Sequence, residues 1–279
     1  MKIRRTLFRF IVLTAMVVID LTLITYCKNI ASLNQLLVQD TLEKIRALEV
    51  STELLEDFKQ WEKEESGFSC YDYLCIYLMT NETAKNRMDW YLDTLSASHN
   101  EKLQLYTTYL EAVWEDLQYF PIPYSVTNQD AGISFGDSWM ALRTFGGKRG
   151  HEGTDIMASI NERGIYPVIS MTDGIVEQIG WLTQGGYRLG IRSPHGGYFY
   201  YAHLHDYAKE FQPGDSVKAG ELLGFMGDSG YSEIEGTVGN FDVHLHMGIY
   251  VNQPDGTEIS INSFWPLKYL EEKRLRYKF

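Results

Sequence analysis

The chain passes through three textures of hydrophobic and polar residues. Residues 10–26, FIVLTAMVVIDLTLITY, are apolar apart from Asp20 and three threonines. As a helix rising about 1.5 Å per residue they extend roughly 25 Å, a short membrane span with Phe8 and Ile30 near its edges. From about Leu33 to Lys63, the residues Leu33, Leu37, Ile45, Leu48, Leu55, Phe58 and Trp61 recur at three- and four-residue steps among acids, lysines and glutamines. That period predicts one amphipathic helix, uninterrupted by glycine or proline. A second helix is predicted from about Thr83 to Gln118 on Met88, Tyr91, Leu92, Leu95, Leu103, Tyr106, Leu110, Val113 and Leu117. It ends before Pro121 and Pro123, which cannot continue a helix.

After Asn128 the pattern changes to short apolar runs between glycine-rich turns such as TQGG, PHGG, QPGD and GDSG. This predicts antiparallel sheet. YPVISMTDGIVEQIGW reads as a hairpin around Asp173-Gly174, and YRLGIRSPHGGYFYYAHL as another around Pro194 to Gly197. The expected class is therefore α+β and multidomain. Residues 1–30 form a basic stub and membrane anchor, 31–120 a helical stalk or small helical domain, and 121–279 a mainly antiparallel β-sheet domain. A chain of 279 residues, 44% of them hydrophobic, suffices for two modest cores.

Charge refines the topology. Lys2, Arg4, Arg5 and Arg9 precede the apolar run, so the positive-inside rule leaves everything beyond about residue 30 outside the cytoplasm. LITYCKN offers no small-x-small site, which favours an uncleaved anchor over a removed signal peptide. Tyr26 before Cys27 argues against lipid attachment, which wants small residues there. Asp20 is expected to snorkel, to be protonated, or to contact another membrane helix. The formal charge of -12 excludes a protein whose main task is neutralising nucleic-acid phosphates. Cys70 and Cys75 lie where a disulfide could persist, but on one helix they would point about 140° apart, so pairing requires a break in the helix and free, buried thiols are the plainer reading.

Six of the seven histidines fall within residues 151–246. His99, in SASHNEK, reads as a surface residue at a helix start, and His195, in SPHGG, as a hairpin-turn residue. In HEGTDI, an extended strand would turn residues 151, 153 and 155 to one face, so His151 and Asp155 could share a ligand with Gly153 leaving room between them. His244 and His246 in VHLHMGI obey the same parity, so one can ligate while the other lines the cleft. His203 ends the aromatic strand YFYYAH, and His205 shares its parity but lies in the turn beyond it. An exported cluster of His and Asp in sheet segments suggests zinc, whose catalytic sites take three protein ligands and leave a position for water.

HEGTDI, YYAHL and VHLHMGI resemble, in type, order and spacing, the three motifs of the lysostaphin/LytM-type zinc metallopeptidases. The likeness covers roughly residues 120–265 and takes in VKAGELLGFMGDSG between the second and third motifs. It implies a LytM-like peptidase domain in which His151, Asp155 and His246 bind Zn2+ while His203 and His244 are catalytic. It also implies peptide-bond hydrolysis in peptidoglycan stem peptides or cross-bridges, on the wall side of the membrane. The chain departs from the pattern in its longer loop GDSGYSEIEGTVGNFDVHLH, where Tyr231, Asn240 and Phe241 are candidates to line the substrate groove, and in Met247-Gly248 where the family usually has Phe-Glu. Two rival readings follow from family and topology. One is a non-catalytic LytM-type binding or activator module, the other an assembly protein of a division or sporulation complex that self-associates or binds a protein partner through its helical region.

Overall fold

A computed structural model describes residues 2–36, 41–64, 67–98 and 100–279; the reading of His99 lies outside them. Helix α1 (Lys2–Leu36) contains a stretch, Leu7–Ala31, long and apolar enough to cross a membrane, with mean hydropathy 2.3. Its apolar side chains from Leu7 to Tyr26 are exposed. Thr14, Thr22 and Thr25 donate their hydroxyls to carbonyls four residues earlier, so these polar groups are satisfied within the helix.

Five helices follow: α2 (Thr41–Ala47), α3 (Thr52–Lys63), α4 (Cys70–Thr80), α5 (Lys85–Ala97) and α6 (Glu101–Trp114). The single helix expected over Leu33–Lys63 is thus divided. After α2 the chain turns at Leu48 in the left-handed region (φ 55), and Ser51 restarts it by accepting the Leu54 N–H at 3.2 Å. The helix expected over Thr83–Gln118 likewise breaks, and Asn100 caps α6 by accepting from the N–H groups of Lys102 and Leu103. Periodicity runs across both breaks because each new helix turns its apolar face to the same core.

Helix α4 was not legible as an amphipathic period because it is apolar on nearly every side. Tyr73, Leu74, Cys75 and Ile76 are all fully buried, as suits the central helix of a bundle. A reciprocal Ser69–Asp72 capping box starts it. Cys70 and Cys75 both lie on α4 as free, buried thiols, and burial pushes the Cys70 thiol up to about 12.

The strands are β1 (Tyr124–Ser125), β2 (Ile133–Ser134), β3 (Leu142–Arg143), β4 (Arg149–Gly150), β5 (Thr154–Ala158), β6 (Pro167–Ile169), β7 (Gly174–Leu182), β8 (Gly186–Arg192), β9 (Tyr198–Tyr207), β10 (Ser216–Val217), β11 (Leu222–Met226), β12 (His244–Asn252), β13 (Glu258–Ile261) and β14 (Arg276–Tyr277). The main sheet runs β10-β7-β8-β9-β12-β5-β2, with β11 bridging β9 and β6 and with β13 on β12. Its pairings are antiparallel. The β8–β9 hairpin forms as expected around Pro194 to Gly197. The hairpin expected around Asp173-Gly174 does not: β6 pairs with β11, and β7 with β8 and β10. Asp173 instead accepts from the Lys218 ammonium and the Ala219 N–H, tying that turn to the β10 segment.

Along β12 the odd positions Leu245, Met247, Ile249 and Val251 are buried in the core. Its even positions His244, His246 and Tyr250 therefore face the opposite side, which is where a cleft opens. The helices dock on this sheet. Arg46 of α2 donates to the Ser260 carbonyl and hydroxyl on β13, and Asn262 N–H returns a bond to the Arg46 carbonyl at 2.7 Å. Gly197, in the β8–β9 turn, lies so close to α6 that a Cβ there would meet the Ala112 carbonyl oxygen.

Candidate metal centre and its cleft

Sheet register brings the first two elements of the site together. β5 and β12 place His246 directly opposite Asp155 and Leu245 opposite Ile156, which sets the two polar side chains on one face. His151 precedes β5 in an irregular stretch, so 151–155 is not the continuous strand that parity suggested. The chain nevertheless curls back between β4 and β5, and His151 Nε2 lies 3.1 Å from Asp155 Oδ1 and 3.0 Å from His246 Nδ1. His246 Nδ1 is 2.9 Å from the same Asp155 oxygen. Gly153 makes this possible in a different way from the one expected. A Cβ there would sit 2.6 Å from His246 Cε1 and 2.7 Å from the Met247 carbonyl oxygen, so the glycine leaves space for the His246 ring.

These three atoms could hold a metal ion. Two imidazole nitrogens and a carboxylate oxygen, all bearing lone pairs and all within 3.1 Å of one another, repel unless protons or a cation lie among them. Two imidazoles and one carboxylate also make a donor set that suits zinc with one position left for water. Outer contacts orient the set. Ser138 Oγ lies 2.9 Å from His151 Nδ1, which directs the opposite ring nitrogen inward. Arg143 Nη2 donates to the second Asp155 oxygen at 2.6 Å. Burial by itself would raise the Asp155 carboxyl, but contacts from His151 and His246 hold it well below the usual carboxylate range. Burial pushes His246 down, against the pull of Asp155. Sequence reading missed Ser138 and Arg143; neither sits in a motif whose spacing points to Asp155.

His203 and His244 lie beside the cluster, with ring centroids 4.7 Å apart. His244 Nε2 is 3.8 Å from Asp155 Oδ1. The other ring nitrogen of each faces a backbone carbonyl: His203 Nδ1 the Ser229 oxygen at 2.8 Å, and His244 Nδ1 the Asp242 oxygen at 2.7 Å. A carbonyl only accepts, so each Nδ1 carries a proton, which leaves Nε2 as the nitrogen through which each ring can take up or give a proton. Burial, with the neighbouring His244 and His246 next, pushes His203 well down and keeps it neutral.

Strand parity alone would send His203 into the core beside Phe199 and Tyr201. Between the pairs Tyr187↔Leu204 and Leu189↔Tyr201, β9 carries one residue more than β8, a bulge. His203 takes up the bulge in the left-handed region (φ 62), and its ring turns onto the His244 and His246 side. A non-glycine residue held there costs on the order of 1 kcal/mol or more, strain of the kind found at functional sites. His205 is exposed and outside the cluster. His195 sits in the β8–β9 turn as expected, 2.8 Å from Asp116 Oδ1.

The long loop before β12 folds over these rings. Phe241 lies 4.7 Å from His203 and 5.1 Å from His244, and Tyr231 lies 4.8 Å from Phe241 and stacks on Phe145 at 4.6 Å. Tyr231 borders the cleft that contains His151, His203 and His246. Asn240 and Phe241 border a separate cavity with Arg163 and Asp228. Arg163 and Asp228 are ion-paired there, and Asp228 also accepts the Gly239 N–H, which pins the loop.

An antiparallel sheet with this His-Asp-His cluster defines a metallopeptidase-like architecture, and the chain belongs to peptidase family M23, whose model matches residues 149–258. The L-Ala-D-Glu endopeptidase of Bacillus subtilis (strain 168) is 42% identical over 131 residues, 47% of this chain and 37% of the relative. The chain therefore spans well under two thirds of that curated relative. The solved structure of a Ruminococcus gnavus protein, named as a candidate glycyl-glycine endopeptidase lytM, is 43% identical with TM-score 0.70, covering 85% of this chain and 93% of that one. That overlap extends beyond the sheet into the helices. The catalytic domain of lysostaphin from Staphylococcus simulans is 27% identical over 50% of this chain and 92% of its own, with TM-score 0.37.

Proposed function

We propose that this chain is a membrane-anchored zinc endopeptidase that hydrolyses peptide bonds of peptidoglycan, in stem peptides or cross-bridges. In this reading residues 1–30 anchor the chain, 31–120 form its helical region and 121–279 its peptidase domain. The observation that carries it is the convergence of His151 Nε2, Asp155 Oδ1 and His246 Nδ1 within 3.1 Å, beside the rings of His203 and His244, whose Nδ1 atoms are turned to backbone carbonyls.

His151, Asp155 and His246 would hold the ion. Zinc in such a site supplies a Lewis acid for the peptide carbonyl and lowers the pKa of the attacking water towards neutrality. His244, whose Nε2 is 3.8 Å from the ligand oxygen of Asp155, takes the proton from water. His203 starts neutral, with its only ring proton donated to the Ser229 carbonyl. It can therefore protonate the leaving nitrogen or stabilise the oxyanion only after receiving the proton that His244 takes from water, the two ring centroids lying 4.7 Å apart. Arg143 orients Asp155 by holding its second carboxylate oxygen. Phe241 and Tyr231 shield the His203 and His244 rings from water on the loop side.

The positively charged residues before Leu7–Ala31 support a topology with the sheet domain outside the cytoplasm, facing the wall. The test is release of new amino groups from purified peptidoglycan by the full chain in detergent, with and without a chelator. Chelator-sensitive release is expected, and sequencing the new ends identifies the bond. A folded, zinc-loaded chain that releases nothing from several wall types would overturn the reading.

A further inference from the structure

The cleft beside the His-Asp-His cluster, about 440 Å³ in volume, is bordered by Arg149, Arg188, Tyr198, Tyr200 and Tyr250. We infer that it receives a carboxylate carried by the substrate next to the scissile peptide bond, with Arg188 and Arg149 as its cationic arms. This inference rests on the peptidase reading and narrows its substrate class to an acidic peptide, in preference to a neutral oligoglycine bridge.

Arg188 is the decisive residue. It lies on β8, is only 9% exposed, and its Nη1 is buried without a hydrogen-bond partner. Its one side-chain contact among the described residues is a long one, 3.4 Å from Nη2 to Gln178 Oε1. Arg149 likewise has a buried, unpartnered Nε. Neither forms an ion pair among the described residues, whereas Arg46, Arg143, Arg163 and Arg192 each do. The cleft's own acids do not compensate them, because Glu152 is held by Arg46 at 3.2 Å and Glu258 by Arg192 at 2.6 Å. Two guanidiniums are thus left beside a cavity with unused donors. Burying such a charge is unfavourable until an anion meets it, and the planar fork of arginine suits a carboxylate.

The surroundings fit the same ligand. Tyr198, Tyr200 and Tyr250 form a ring-edge cluster, with centroids 6.0 to 6.5 Å apart. Their hydroxyls make no hydrogen bond among the described residues. Burial raises all three phenols, Tyr198 to about 12, so they remain protonated donors. Position ties the subsite to the chemistry. Arg188 falls between the pairs Tyr187↔Leu204 and Leu189↔Tyr201, opposite the bulge that carries His203. Adjacent strands lie about 4.8 Å apart. A carboxylate at Arg188 therefore sits within a few bonds of a carbonyl presented to His203 and the ligand triad, while Tyr200 bridges to His246 at 6.1 Å.

The test is binding, measured by titration calorimetry on the full chain in detergent after metal removal, so that no turnover is needed. The probes are a tripeptide with a γ-linked glutamate whose free α-carboxylate flanks a peptide bond, the same tripeptide with that carboxylate amidated, and pentaglycine. The acid should bind at least about tenfold more tightly than the amide or pentaglycine. Arg188→Met should bring acid and amide within about twofold, Arg149→Met should narrow the gap, and Arg188→Lys should keep part of it. Thermal melts and zinc uptake verify folding, and Arg149→Met carries the test if Arg188→Met does not fold. Equal binding of acid and amide, no binding of the acid at millimolar concentration, or an unchanged ratio in a folded Arg188→Met chain would overturn the inference. Amine release from peptidoglycan without acid preference defeats this inference alone. Acid preference without amine release defeats the peptidase reading instead.

Discussion

Asp155 and His246 face each other across β5 and β12 as direct antiparallel partners, with His246 Nδ1 2.9 Å from Asp155 Oδ1. One residue of slip between these strands would move His246 to the opposite face and dismantle the cluster. The site is therefore only as well defined as this register, and several consequences can be measured.

Removing a ligand and removing a catalytic imidazole should separate cleanly. His246→Ala is expected to lose both bound zinc and peptidase activity, because two donors cannot retain the ion. His203→Ala should keep about one zinc per chain while losing turnover by roughly 100-fold or more. Metal analysis alongside amine release checks both, and full turnover in the second variant would contradict the role given to His203.

Arg143 acts on the metal through Asp155. Its guanidinium holds the carboxylate oxygen that faces away from the histidines. Arg143→Met should weaken zinc affinity by about 10- to 100-fold while leaving the fold intact. Competition with a chromophoric chelator measures this, and unchanged affinity would reduce the ion pair to a surface contact.

Gly153→Ala should be disproportionately harmful for one methyl group. The new Cβ would lie 2.6 Å from the His246 ring and 2.7 Å from a backbone carbonyl that cannot rotate away. A stability loss on the order of 1–3 kcal/mol is expected, accompanied by reduced zinc binding. Gly136→Ala, where nothing lies within 4 Å, serves as the control.

His195 and Asp116 join the β8–β9 turn to the segment after α6. The hydrogen bond to Asp116 raises the His195 pKa, so the charged form is favoured in the folded state. Its stabilisation is full below the unfolded histidine value of about 6.5 and disappears as pH rises through the higher folded value. Since the His195 side chain is 43% exposed, the contribution should be under about 1 kcal/mol. Denaturant unfolding between about pH 6 and 9 should show this slope. Asp116→Asn should remove it; a parallel slope in that variant would place its origin elsewhere.

The sequence alone determined whatever depends on local period and residue chemistry. A run such as 10–26 has no water-compatible face, so its helix and its candidate span were readable directly. The β8–β9 hairpin was legible in SPHGG, and His244 and His246 shared a face as their spacing required. Helix breaks at Leu48 and Asn100 were invisible because the apolar period continues across them, and α4 because a fully buried helix has no polar face to mark its period. Only the tertiary structure decided where the chemistry meets. The curl that returns His151 to Asp155, the extra residue in β9 that rotates His203 out of the core and leaves His205 in solvent, and the isolation of Arg188 from any acid among the described residues all arise from pairing between distant strands. Strand pairing is a long-range property: a bulge or a missing partner is defined by the neighbour, which the local sequence does not specify.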